Sequence, residues 1–138
     1  MDAMSYTTLH ATPSAETYRH LREGSGLSPK SAEAAERGLP NTLFGVQVMH
    51  AGEPVGMGRV VGDGGTAFQV VDIAVLPEHQ GKGLGKRIMD EIATWLRANV
   101  PQGGYVSLLA DVPADALYAQ FGFVHTAPRT VGMAWKRT

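Results

Sequence analysis

The 138-residue sequence predicts an α/β sandwich: a single domain around one mixed sheet of about seven strands, with helices on both faces. Three observations carry that prediction. Leu84, Ile88, Ile92, Trp95 and Leu96 recur at helical spacing and mark one long helix. Three runs rich in β-branched and aromatic residues lie between positions 42 and 76, parted by Ala-Gly and Gly-Gly, and read as an antiparallel meander. A further strand-like run at 105–111 follows the long helix, which therefore returns the chain to the sheet.

Taken in order, "SYTTLH" (5–10) alternates like a short strand, and residues 12–24 follow as a helix with a cap candidate, Pro13 and a terminal glycine. Residues 26–38 offer Ser28 or Ser31 as caps before an alanine-rich helix ended by Gly38. Leu39-Pro40-Asn41 breaks the chain ahead of strands at 42–50, 53–63 and 66–76. The long helix covers 84–99, closed by Asn99 and Pro101, and the strand at 105–111 follows. A short helix at about 112–121 leads to two closing strands, "GFVHT" and "VGMAWK". The predicted order is β-α-α-β-β-β-α-β-α-β-β, without repeats or linkers.

Composition excludes several classes. No apolar run approaches the roughly 18 residues of a membrane span, and "MDAMSYTTLHATP" is polar, so the expectation is a cytoplasmic protein without a leader or membrane partner. Zero cysteines remove disulfides, thiolate zinc sites and cysteine nucleophiles. The histidines at 10, 20, 50, 79 and 125 share no ligand spacing, so no metal is expected. With a formal net charge of −1, the chain has no electrostatic reason to bind nucleic acid.

Positive charge is instead local. "HQGKGLGKRI" (79–88) puts Lys82, Lys86 and Arg87 at the start of the long helix, where the helix dipole favours acids. No Ser, Thr, Asp or Asn directly precedes Leu84 to cap its N–H groups, while Gly81, Gly83 and Gly85 clear side chains from the approach. Such a loop suits a bound anion. The plainer reading is a surface turn with Lys86–Asp90 and Arg87–Glu91 as i, i+4 pairs. The Walker and dinucleotide glycine patterns do not fit, because position 86 is a lysine and no Gly-Lys-Ser/Thr follows four residues after a glycine.

"VVDIAVLPEHQGKGLGKRIMDEIATWL" resembles the central motif of the GCN5-related N-acetyltransferase (GNAT) superfamily, and "ADVPADALYAQFGF" resembles its second motif. The element order is similar to the acyl-CoA N-acyltransferase fold over nearly the whole chain. The resemblance implies acetyl-CoA as co-substrate and a primary amine, of a small or amino-acid-like molecule, as acceptor. It implies that Gln80, Gly81, Lys82, Gly83, Gly85 and Lys86 hold the pyrophosphate of coenzyme A, and that Ile73 and Val75, on a splayed strand, pair with the pantetheine arm. Asp111 stands where the superfamily often has asparagine, which leaves either a cofactor contact or a helix N-cap. Tyr118 matches the tyrosine that protonates the departing thiolate. A phenol of pKa about 10 suits a thiol titrating near about 8.5.

Several roles stay open at this stage. Tyr118 also falls on a helical stripe with Ala114, Leu117 and Phe121, as an amphipathic core-edge residue would. Asp72, a carboxylate in an apolar strand, reads either as the base that deprotonates the amine or as the partner of Arg59. A two-residue Gly64-Gly65 turn would set Arg59 opposite Val70. Arg22 and Arg59 are candidates to hold a carboxylate on the acceptor, and the Val75 N–H is a candidate for stabilising the oxyanion. A protein lysine or N-terminal acceptor, a non-catalytic acyl-CoA-binding module and a generic nucleotide-phosphate site are the alternatives. Oligomeric state is open at this stage, since exposed edge strands could support a homodimer.

Overall fold

The computed structural model describes residues 5–137, and the chain divides into two compact units, Met1–Leu108 and Leu109–Thr138. The first unit is an α/β layer structure. Its strands are β1 (Thr7–Leu9), β2 (Phe44–His50), β3 (Glu53–Gly62), β4 (Ala67–Val75) and β5 (Tyr105–Ser107), hydrogen-bonded in the order β1-β2-β3-β4-β5. The first four strands are antiparallel and β5 joins β4 in parallel, so the sheet is mixed. Its helices are α1 (Ala15–Gly24), α2 (Ala32–Gly38) and α3 (Leu84–Asn99).

Local chemistry sets the helix starts. The Ser14 hydroxyl accepts from the Thr17 N–H and the Ser31 hydroxyl from the Ala34 N–H, so Ser31 is the cap of α2. Helix α3 buries Leu84, Ile88, Met89 and Ile92 against β2, β3 and β4, each such side chain contributing about 1.5–3 kcal/mol. Gly56 and Gly58 let α3 come close: a Cβ at Gly58 would lie 2.7 Å from Ile88 Cγ2 and from Ile73 Cδ1. On the opposite face, Tyr18, Leu21, Ala35, Leu39, Met57 and Ala74 form a second cluster under α1 and α2. Helices therefore cover both faces, as the alternation of Met57 with Gly56 and Gly58 requires.

The second unit holds α4 (Asp115–Ala119) and otherwise no regular element among the described residues. The sheet thus has five strands, not the seven expected. "GFVHT" and "VGMAWK" are apolar enough for strands, but Val124, Val131, Met133 and Trp135 are exposed, and a strand without a paired neighbour and a covered face does not hold. The expected strand at 105–111 likewise stops at Ser107.

The turn between β3 and β4 also departs from expectation. One Asp63 carboxylate oxygen accepts the N–H groups of Gly65, Thr66 and Ala67, and the other accepts the Thr66 hydroxyl. That longer loop shifts the register by one, so Arg59 faces Val71 while Val60 faces Val70. Between the pairs Arg59–Val71 and Met57–Ala74, β4 carries one residue more than β3. The bulge contains Asp72, whose φ of 60° is a conformation few non-glycine residues adopt.

Candidate functional site

Strand β4 ends at Val75, a short turn spans Pro77–His79, and a loop then leads into α3. Gly83 is the N-cap of α3 at φ 78°, it has no side chain to cap with, and no acid stands in the first turn. Gly81 has φ 77°, and a Cβ on either glycine would meet nothing within 4 Å. The glycines are therefore required by backbone angle, and the space in front of the loop is open. Six consecutive backbone N–H groups, Gly81 to Lys86, find no acceptor among the described residues. Beside them the Lys82 and Lys86 side chains are exposed and make no ion pair among those residues. This donor set fits a diphosphate, which offers acceptor oxygens and negative charge together.

The flanks of the loop are pinned. The Gln80 N–H is spent on the Pro77 carbonyl, and its side-chain amide donates to the Val75 carbonyl at 2.8 Å. Gln80 thus shapes the turn, and its backbone N–H is not part of the free run. The expected i, i+4 pair of Arg87 and Glu91 does not form: Arg87 donates to the Tyr6 carbonyl at 2.9 Å, and Glu91 pairs with His10. Tyr6 Oη lies 2.9 Å from His79 Nδ1, and the rings of Tyr6, His50 and His79 pack together, with the two imidazole centroids 5.1 Å apart. His79 is accordingly a buttress rather than a solvated loop residue. Only its adjacency to the loop hinted at this in the sequence.

Strand β4 is open along one edge. Strand β5 pairs only with Ala67, Phe68 and Gln69, so no strand among the described residues covers β4 beyond Gln69 on that side. The Leu76 N–H donates to the Val55 carbonyl at 2.9 Å, and antiparallel alternation then turns the Val75 N–H and carbonyl toward the open edge. Ile73 and Val75 therefore lie on the part of β4 whose edge carries no strand among the described residues. The Ile73 side chain packs on the α3 face beside Gly58.

On the other face, Asp72, Arg22, Arg59 and Tyr18 come together. One Asp72 oxygen accepts from Arg22 Nη1 at 2.6 Å and from the Tyr18 hydroxyl at 3.1 Å; the other accepts from Arg59 Nη1 at 2.6 Å. The Asp72 side chain is 6% exposed. The ion pair with Arg59 is thus made even though the predicted register is wrong, because the bulge re-aims Asp72. Each nitrogen of Arg22 has one acceptor: Nη1 donates to Asp72, Nε to the Ser28 carbonyl and Nη2 to the Ser28 hydroxyl. Those bonds hold the Arg22 guanidinium inside the cluster, so its first role is structural. Burial first, then the nearby Asp72 charge, raises the Tyr18 pKa above its usual value. The sequence signalled Tyr18 only through its i, i+4 spacing with Arg22 on α1.

In the second unit, Ala114, Leu117, Tyr118 and Phe121 are all half-buried. Burial and then the Asp111 charge raise the Tyr118 pKa, so its phenol keeps its proton through the neutral and mildly alkaline range. The N-cap of α4 is Ala114, without a side-chain bond, and Asp111 contributes only its carbonyl, to the Ala114 N–H. The N-cap role expected for the Asp111 side chain is not taken up.

A family model described as the acetyltransferase (GNAT) family matches residues 9–123. A probable acetyltransferase of unknown function from methicillin-resistant Staphylococcus aureus has a similar structure, with 47% sequence identity and a TM-score of 0.92 over 96% of this chain and all of that one. A GNAT family acetyltransferase from Streptococcus pneumoniae is 25% identical at a TM-score of 0.78, covering 96% of this chain and 98% of that one. Among curated proteins, chloroplastic serotonin N-acetyltransferase 2 of rice (Oryza sativa subsp. japonica) is 33% identical over 88 residues, 64% of this chain and 43% of that protein. The chain spans less than half the length of the curated relatives it matches. Among the described residues no helix is long and apolar enough to cross a membrane.

Proposed function

Because the chain belongs to the acetyltransferase (GNAT) family, as the match over residues 9–123 shows, we propose that it transfers an acetyl group from acetyl-CoA to a primary amine of a small or amino-acid-like molecule in the cytoplasm. One observation carries this reading: the unbroken run of unpartnered N–H groups from Gly81 to Lys86, at the end of a strand with a free edge. A diphosphate satisfies the run, Lys82 and Lys86 add charge, and the pantetheine arm lies along Ile73 and Val75. The Val75 N–H is free to stabilise the oxyanion as the neutral amine attacks the thioester carbonyl. A C–N bond forms, the C–S bond breaks, and the thiolate takes a proton from Tyr118.

The proton of the attacking amine leaves through water. Asp72 is not assigned as the base, since all of its contacts are committed to two guanidinium groups and a phenol. Its role is to hold the β4 bulge. Asp111, exposed and without a side-chain partner among the described residues, remains assigned to the cofactor side.

Calorimetry with acetyl-CoA, ATP and GTP, followed by thiol release across an amine panel, tests the proposal. The expected result is tight binding of acetyl-CoA alone, and about a hundredfold or greater drop in kcat in Tyr118→Phe with acetyl-CoA binding unchanged. Equal binding of all three ligands assigns the loop to nucleotides in general. Intact acetyl-CoA binding without turnover of any amine leaves an acyl-CoA-binding module.

A further inference from the structure

Resting on the acetyl-transfer reading, we infer that the acceptor amine carries a carboxylate, held by Arg59 and Lys30 in a cavity beside the Asp72 bulge. The cavity measures about 220 Å³ and is lined by Tyr18, Lys30, Arg59 and the small apolar surface of Ala34, Ala35 and Leu39. That is below the about 300–1,000 Å³ of a site for a whole drug-sized ligand, so it suits one head group. No acidic side chain lines it.

The two arginines of the cluster differ in what they have left to give. Each nitrogen of Arg22 has a protein acceptor. Arg59 spends Nε on the Thr42 hydroxyl at 2.9 Å and Nη1 on Asp72, while Nη2 has no acceptor among the described residues. The Arg59 side chain is 8% exposed, yet no buried side-chain nitrogen or oxygen of the described residues lacks a partner, so Nη2 keeps contact with open space. Arg59 lines the cavity, and the inference places its unspent Nη2 donor there.

Charge points the same way. Two guanidinium groups face the single Asp72 carboxylate, leaving one positive charge uncompensated, and Lys30 adds a second without an ion pair of its own among the described residues. The Lys30 backbone is fixed, since its carbonyl accepts from Arg19 Nε at 3.0 Å. A carboxylate bridging Arg59 Nη2 and the Lys30 ammonium completes both. Tyr18 and Arg59, which line the cavity, also touch Asp72, at 3.1 and 2.6 Å. An acceptor anchored there lies beside the β4 segment that carries Ile73 and Val75 to the open edge.

Matched amines that differ only in the carboxylate test this: ornithine against putrescine, lysine against cadaverine, tyrosine against tyramine. Calorimetry in the presence of coenzyme A reads binding and thiol release reads turnover. The carboxylated member of at least one pair is expected to bind about tenfold tighter. Lys30→Gln, a change at an exposed side chain, is expected to remove most of that preference by raising KM for the carboxylated amine, with KM for acetyl-CoA and the melting temperature unchanged. Lys30→Glu reverses the preference. Equal binding within every pair, or a preference untouched in both Lys30 variants, overturns the carboxylate site. A carboxylate preference in binding without thiol release from any amine upholds the site and defeats the acetyl-transfer reading instead.

Discussion

Two polar regions flank the second half of β4, and they spend their hydrogen-bonding capacity in opposite ways. Around Asp72, both carboxylate oxygens, the Tyr18 hydroxyl and every nitrogen of Arg22 are matched to one another inside the fold. At the start of α3, six N–H groups in succession are matched to nothing in the described chain. The first arrangement is finished at the moment of folding, and the second needs a visitor. Charge alone does not separate them, since both are cationic on balance. What separates them is whether donors and acceptors cancel, and Arg59 Nη2 is the point where the finished region is left unfinished.

The largest effect that breaks the contrast is expected from Asp72→Asn. Asparagine keeps the shape and tolerates the positive φ, but it strands two guanidinium groups away from water. Denaturant unfolding is expected to lose about 3–5 kcal/mol. Gly58→Ala, which crowds three isoleucine side chains beneath α3, is expected to cost about 1–3 kcal/mol in the same measurement and serves as a packing reference.

Lys86→Ala sharpens the comparison from the other side. Acetyl-CoA affinity measured by calorimetry is expected to fall about tenfold, with the denaturation midpoint unchanged, because Lys86 has no ion-pair partner among the described residues to lose. The smallest effect belongs to Asp63, a finished carboxylate on the surface. The Thr66 hydroxyl first, and then the N–H groups of Gly65 and Ala67, hold its pKa below the usual carboxylate range. A lowered folded-state pKa contributes stability above the ordinary value of 3.8, and the contribution is lost as pH falls through the folded-state value. Melting temperature followed downward from pH 5 is therefore expected to fall less steeply in Asp63→Asn than in the parent.

Elements with their own local signals were legible in the sequence. Helix α3 runs over the residues its stripe predicts, Ser31 is one of the two caps expected for α2, and the three-strand meander forms. The glycine loop was legible because an uncapped helix start with same-sign charge is a local contradiction that a ligand resolves. Pairing was not legible to the residue. The Asp63 loop shifts the register by one and the Asp72 bulge changes it again, and neither device has a signature beyond an aspartate. The closing strands failed for a related reason, since alternation supplies a face and no neighbour. Lys30 and Tyr18 passed unnoticed because only the folded chain brings α1, the segment before α2 and β3 to one cavity.

The links from Tyr6 to Arg87 and His79 tie the segment just ahead of β1 to the start of α3, more than seventy positions along the sequence. A ligand that orders the glycine loop is therefore expected to raise the hydrogen-exchange protection of amides near residues 5–9, far from the loop in sequence.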